Sequence, residues 1–237
     1  MDKIAIIKQP AGLGDILFTT KIRKSLENDG YKVFHPVINE YSWISEYIEG
    51  DFPVINKFKY SSILQNSTLT PNKIYIDNKE IFLIPLQTAD RLFNGSVMDA
   101  KYKLMNLKLD DWSDYLSINR NKKKEEELFS LLNLKENDEY IVVNNKFGSP
   151  PNFAIKNIKI NTDCKIIDMG FYHGFTLFDW IKVLELSKEI HVVESSINYI
   201  LEKENIEPGK VFIYSKHVPS SFDHVKHLFS KDWNYIF

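Results

Sequence analysis

The sequence predicts an α/β protein of two small domains whose parallel sheets face one another across a cleft. Three observations carry that expectation. Short continuous apolar runs, the mark of strands buried on both faces, occur at residues 4–7, 81–86, 140–143 and 190–193. Segments with helical apolar spacing alternate with them, as βαβ units require. A charged and polar stretch after Asn119 interrupts the alternation and marks a boundary.

The first domain opens with the run at 4–7, followed by a turn through Gln9, Pro10, Ala11, Gly12, Leu13 and Gly14. Ile16, Leu17, Thr20, Ile22 and Leu26 then repeat at helical spacing, Gly30 stops the helix, and residues 31–37 read as the next strand. Residues 41–48 suggest a short amphipathic helix, and 51–58 a strand led by Pro53, Val54 and Ile55. Residues 63–76 have polar interruptions and no dominant period. The run at 81–86 is a buried strand closed by Pro85, and short helices are expected near 97–107 and 112–118.

The second domain begins with a helix at 122–132, where Leu128, Leu131 and Leu132 share a face. A strand at 140–143 leads to a turn at Gly148, Ser149, Pro150 and Pro151. Strands at 165–167, 190–193 and 211–214 alternate with helices at 177–186, 195–204 and 222–229. No internal repeat or low-complexity segment is present.

Bulk properties exclude several classes. Hydrophobic residues make up 43% and charged residues 26% of 237, a globular balance without a disordered signature. The formal net charge of -2 lacks the positive field that a nucleic-acid coat needs. Lys122 to Lys124 followed by Glu125 to Glu127 fits one solvated helix face. Cys164 is the single cysteine, so thiolates build neither an intrachain disulfide nor a zinc cluster. The N-terminus is too quickly interrupted for a signal peptide, and no apolar stretch approaches the roughly 18 residues of a membrane span. A cytoplasmic location follows as the expectation, with peripheral work at a membrane surface left open.

Ligands of open parallel sheets bind outside the carboxyl ends of the strands, so the residues there are the candidates. After the first strand, Gly12-Leu13-Gly14-Asp15 matches neither the dinucleotide fingerprint nor a P-loop. Gly14 allows close backbone approach, and Asp15 serves either as a helix N-cap or as a general base. Arg91 and Lys101 follow the strand at 81–86 and either receive an anionic ligand or stay solvated. In the second domain Lys146 follows the first strand, where its ammonium could neutralise a diphosphate or simply sit exposed. Glu194 ends a buried strand; Ser195 and Ser196 open the next helix, as caps or as donors around a phosphate. His173 lies in a loop. Asp179 reads as a first-turn carboxylate facing the helix dipole, and His191 as a satisfied imidazole inside its strand. His217, His224 and His227 lack the accompanying glutamate of a helical zinc site, and no catalytic metal is expected.

With these residues in view, the chain resembles the two-domain glycosyltransferases that use nucleotide-activated sugars, specifically the heptosyltransferase-like group. The resemblance rests on Gly12-Leu13-Gly14-Asp15-Ile16-Leu17-Phe18-Thr19-Thr20 and on Ile190-His191-Val192-Val193-Glu194-Ser195-Ser196. It implies a trimmed GT-B-like pair of Rossmann-like domains, shorter than is usual for that fold. Residues 1–120 would form the acceptor side and 121–237 the nucleotide-sugar side. It further implies Asp15 as the base that deprotonates the acceptor hydroxyl, and Lys146, Glu194, Ser195 and Ser196 as the donor site. Here the chain has Glu-Ser-Ser where Asp followed by small residues is usual.

The expected activity is transfer of a sugar from a nucleotide diphosphate donor to a hydroxyl of a glycan or related acceptor. No resident cofactor or metal is required, because Lys146 and the helix dipole would carry the leaving charge. A phosphatase or nucleotide hydrolase, and a non-catalytic nucleotide or sugar binding protein, are the alternatives.

Overall fold

The computed structural model describes residues 3–76, 78–149, 152–216, 222 and 224–236. It divides into two units, Met1–Asn119 and Arg120–Phe237.

The first unit carries a four-stranded sheet in the order β2-β1-β4-β3. Its strands are β1 (Lys3–Ile7), β2 (Tyr31–Phe34), β3 (Asn72–Ile76) and β4 (Lys79–Ile84). β1 pairs in parallel with both β2 and β4, while β3 runs antiparallel to β4. Ile4, Ile6, Ile81 and Leu83 turn one face onto Phe58, Tyr60 and Ile63, as the two-residue period of a strand dictates. Two helices follow β1 directly, α1 (Leu13–Phe18) and α2 (Thr20–Asn28), the second packing on β2. A third, α3 (Val97–Leu104), is capped by Ser96, whose hydroxyl accepts the Asp99 N–H at 3.1 Å.

Several local expectations are corrected here. The helix expected at 41–48 is two 3₁₀ turns, Asn39–Tyr41 and Ile44–Glu46. The strand expected at 51–58 contributes only isolated bridges, Phe34 to Asp51 and Val37 to Val54, before a 3₁₀ turn at Ile55–Lys57. Proline at 53 has no N–H to give a ladder, which favours bridges over a strand. Polar residues hid β3, an edge strand with its outward residues in solvent. The helix near 112–118 is a short 3₁₀ turn, Trp112–Tyr115.

The second unit contains a five-stranded, all-parallel sheet ordered β11-β10-β9-β5-β8. These strands are β5 (Tyr140–Asn144), β8 (Lys165–Asp168), β9 (Glu189–Val193), β10 (Val211–Tyr214) and β11 (Asn234–Ile236). A small antiparallel hairpin, β6 (Lys146–Ser149) with β7 (Asn152–Ile155), leaves the end of β5. The helices are α4 (Lys122–Leu131), α5 (Ile181–Leu186) and α6 (Ile197–Lys203). The helix expected at 177–186 begins as a 3₁₀ turn at Leu177–Trp180. Asp179 closes a capping box there, accepting the Thr176 N–H at 2.7 Å. In place of the last helix, the described residues hold a 3₁₀ turn at Lys226–Leu228 and then β11. His217, Pro150 and Pro151 lie outside the described residues.

Arg120 anchors the start of this unit. Its guanidinium donates to Glu125 Oε1 at 2.8 Å and to Glu185 Oε2 at 2.8 Å, and it lies 3.3 Å from Glu204. Hydrogen bonds to Glu125 hold its pKa above the ordinary arginine value, and burial raises that of Glu204. The unit therefore begins on one cation tying α4, α5 and the end of α6 together.

Candidate functional site

The first unit concentrates its polar interior at the carboxyl end of β1. Gln9 is buried, and its Nε2 donates to Ala11 O at 2.7 Å, closing the turn over which the chain enters α1. Gly12 takes φ 82°, a left-handed conformation that a glycine adopts without steric cost. A Cβ at Gly12 would lie 2.3 Å from Asp15 Oδ2, so the Asp15 side chain folds back over the turn. Gly12, not Asp15, occupies the N-cap position, and no side-chain cap bond is made there. The capping role for Asp15 is thereby corrected. Gly14 sits inside α1 with no left-handed φ.

Asp15 instead meets Lys101. The ammonium on α3 lies 3.0 Å from Asp15 Oδ1 and donates to Gln9 Oε1 at 2.7 Å and Leu86 O at 3.2 Å. Lys101 is 1% exposed, whereas the Asp15 side chain keeps 26% exposure. Neither alternative considered for Lys101, an open anion receptor or a solvated cation, describes this. A buried ammonium retains its charge only when paired and hydrogen-bonded, and here three oxygens surround it.

His35 completes the group from the end of β2. Gln9 O accepts a hydrogen bond from its Nε2 at 3.0 Å, which assigns the proton to that nitrogen because a carbonyl only accepts. Burial, with smaller contributions from Arg23 and Lys101, lowers the His35 pKa from 6.5 to about 4. His35 is therefore a neutral strut at pH 7. Thr19 and Thr20 are fully buried and turn their hydroxyls back to Ile16 O and Leu17 O. They shape the break between α1 and α2. Arg91 is exposed at the end of a 3₁₀ turn, Leu86–Arg91.

In the second unit Lys146 starts β6 instead of lying in an open loop. Its backbone N–H is held by Asn144 Oδ1 at 3.2 Å, and its ammonium lies 5.4 Å from the centre of the Phe171 ring. Phe171 is exposed and packs on Phe153 at 5.0 Å. Glu194 is buried, with Lys216 3.7 Å from its Oε1. The Ser195 N–H is occupied by Asn198 Oδ1 at 2.9 Å, and Ser196 stands at the N-cap of α6 without a side-chain cap bond. Of the two serine N–H groups expected to face a phosphate, that of Ser195 is already satisfied. His173 is exposed in its turn. His191 is held by Tyr214 and Glu189 at 2.9 Å each and stacks on Phe212.

Gln9 and His35 were missed from sequence. Gln9 stands just past β1, and His35 falls inside the strand expected at 31–37, which ends at Phe34, so a search beyond strand ends passed it by. Gln9 carried no signal beyond its place in the turn. Among the described residues, no group of three or more His, Cys, Asp or Glu is arranged to hold a metal ion. No helix among them is long and apolar enough to cross a membrane.

The two mostly parallel sheets are those of paired Rossmann-like domains, the GT-B-like fold class. The crystal structure of a glycosyl transferase family 9 protein from Veillonella parvula DSM 2008 is similar at a TM-score of 0.58 and 14% identity. The match covers 100% of this chain and 87% of that one, and the likeness is one of fold. No protein-family model and no curated protein matches the sequence.

Proposed function

We propose that the protein is a metal-independent glycosyltransferase that moves a sugar from a nucleotide diphosphate donor to a hydroxyl of a glycan or related acceptor. The observation carrying this reading is the partly exposed Asp15 carboxylate, fixed by buried Lys101 at the carboxyl end of β1 in a GT-B-like fold. Asp15 takes the proton of the acceptor hydroxyl as its oxygen attacks the anomeric carbon. The bond from that carbon to the diphosphate breaks, and the nucleoside diphosphate leaves with the electron pair. Lys101 is a positioning residue, holding Oδ1 so that the carboxylate keeps one orientation through the reaction.

The second unit takes the donor. Lys146 faces the diphosphate as a point charge, and Ser195, Ser196 and Glu194 surround the phosphate and sugar hydroxyls. Since Asn198 holds the Ser195 N–H, the Ser196 N–H and the serine hydroxyls are the donors this reading uses. Arg91, Gly14 and His173 remain candidates for contact with acceptor or donor.

The test is a panel of nucleotide diphosphates in a thermal-shift assay with a chelator present, followed by product analysis. A ligand that binds only the native state raises the melting temperature by mass action. The reading expects such a shift, and a glycan gaining one sugar by mass spectrometry when the matching nucleotide sugar is supplied. Donor consumption that yields free sugar with or without glycan would assign a hydrolase.

A further inference from the structure

A concavity in the first unit lies at the strand ends from which the chain leads to Asp15. Its volume is about 490 Å³, inside the roughly 300–1,000 Å³ range of small-ligand sites. Lys8 follows β1 and Gln87 follows β4; their backbones cross there, Gln87 N–H to Lys8 O at 3.0 Å. Pro10 joins this wall from the same turn that leads to Asp15.

The opposite wall comes from the 3₁₀ turns at Ile55–Lys57 and Ser61–Gln65. Phe58, Tyr60 and Ile63 bury these turns in the core below the sheet. Asn56, Ser61 and Gln65 are thus presented to the pocket from an anchored frame.

The lining has a specific hydrogen-bonding character. Asn56, Gln65 and Gln87 each carry donors and an acceptor on one side chain, and Ser61 adds a hydroxyl. These four side chains make no hydrogen bond to other described residues. Ile55, Leu64 and Pro10 supply apolar surface between them. No carboxylate lines the pocket. Its single cation, Lys8, already donates to Asn66 O at 2.8 Å, and burial lowers its pKa. A phosphate or carboxylate ligand would find one engaged ammonium and no guanidinium. A sugar ring suits the lining: its hydroxyls donate and accept together, as amides do, and its C–H faces pack on aliphatic surface.

We propose that this pocket binds an uncharged, hydroxyl-rich sugar ring of the acceptor, a subsite that rests on the transferase reading above. The full chain would be examined by saturation-transfer NMR with neutral disaccharides (lactose, maltose, cellobiose), with glucuronic acid and glycerol phosphate, whose C–H protons report binding, as the charged probes. Saturable signal from a neutral disaccharide is expected, with little from the charged probes. Gln87→Ala combined with Asn56→Ala should weaken binding by about tenfold or more, from two lost hydrogen bonds. Both side chains are exposed, so this variant keeps its fold; Ser61→Trp, checked by circular dichroism, should fill the pocket and abolish binding. No saturable signal, preference for the charged probes, or unchanged binding in the folded variants would overturn the proposal. Sugar binding needs no donor, so the two readings fail separately. Turnover with an unchanged acceptor KM in Gln87→Ala with Asn56→Ala removes the subsite and keeps the transferase. Disaccharide binding lost in that variant, with no turnover from any donor, keeps the sugar site and removes the transferase.

Discussion

Replacing Asp15 by alanine should destabilise the first unit through Lys101, and the size of that effect follows from the geometry. The ammonium lies 3.0 Å from Oδ1, where Coulomb's law at an effective dielectric of about 20 gives roughly 5 kcal/mol of attraction. The quarter of the Asp15 side chain left in solvent, and the hydration the ions regain when separated, reduce the net coupling to about 1–3 kcal/mol. Lys101→Met keeps the length of the stem but leaves Gln9 Oε1 and Leu86 O without their donor. The loss of those bonds, offset by removal of a buried charge, sets this variant at about 1–3 kcal/mol as well. The assay is a double-mutant cycle by urea denaturation. The double variant should lose about 1–3 kcal/mol less than the sum of the singles. Additivity within about 0.5 kcal/mol would refute the pair. A capping carboxylate would also cost about 1 kcal/mol on truncation, but that loss would be independent of Lys101.

Other perturbations probe separate parts of the structure. The His35 pKa is depressed from 6.5 to about 4, so its neutral burial contributes stability that is intact above pH 6.5 and lost as pH falls through about 4. The loss should total about 3 kcal/mol, and His35→Gln should flatten that part of a pH series of urea melts; an unchanged slope would refute it. Gly12→Ala forces a Cβ onto the Asp15 carboxylate at φ 82°, and should cost about 1–3 kcal/mol in stability, measured against the harmless Gly209→Ala. Arg120→Met leaves Glu125, 1% exposed, with only the exposed Lys122 at 3.6 Å as a cation and should cost about 3 kcal/mol, the lower end for a broken buried pair; a loss under about 1 kcal/mol would show that the cluster does not anchor the second unit. Lys146→Ala should weaken nucleoside diphosphate binding by about 1.5–3 kcal/mol and nucleoside binding much less, as read by calorimetry.

The parallel strands were legible because burial on both faces writes itself as unbroken apolar runs. Residues 4–7, 140–143 and 190–193 have few other ways to hide their side chains. β3 and β11 were not legible, and for different reasons. β3 alternates exposed Asn72, Lys73 and Tyr75 with half-buried Ile74 and Ile76 along a sheet edge, so its apolar signal is halved. β11 spans three residues, too few for any period. The 3₁₀ turns at 39–46 kept a helical spacing of apolar residues without the length for an α-helix.

At the site, sequence brought Asp15 to notice but misread its neighbour. Nothing local distinguishes a buried lysine on a helix from a solvated one. Lys101 is buried because Gln9 and Leu86, more than a dozen residues away, supply its oxygens. Asn198 was equally silent, a polar residue in the first turn of α6 whose side chain turns back to the Ser195 N–H.

The most direct test of the transferase account is kcat for Asp15→Asn against the wild type, with a competent nucleotide sugar and a glycan acceptor. Asparagine retains an oxygen for Lys101, and melting curves separate loss of fold from loss of chemistry. The account predicts a folded variant that binds the donor as the wild type does, with kcat lower by about 10²–10⁴, the contribution of a positioned base. A folded variant turning over at the wild-type rate would contradict it.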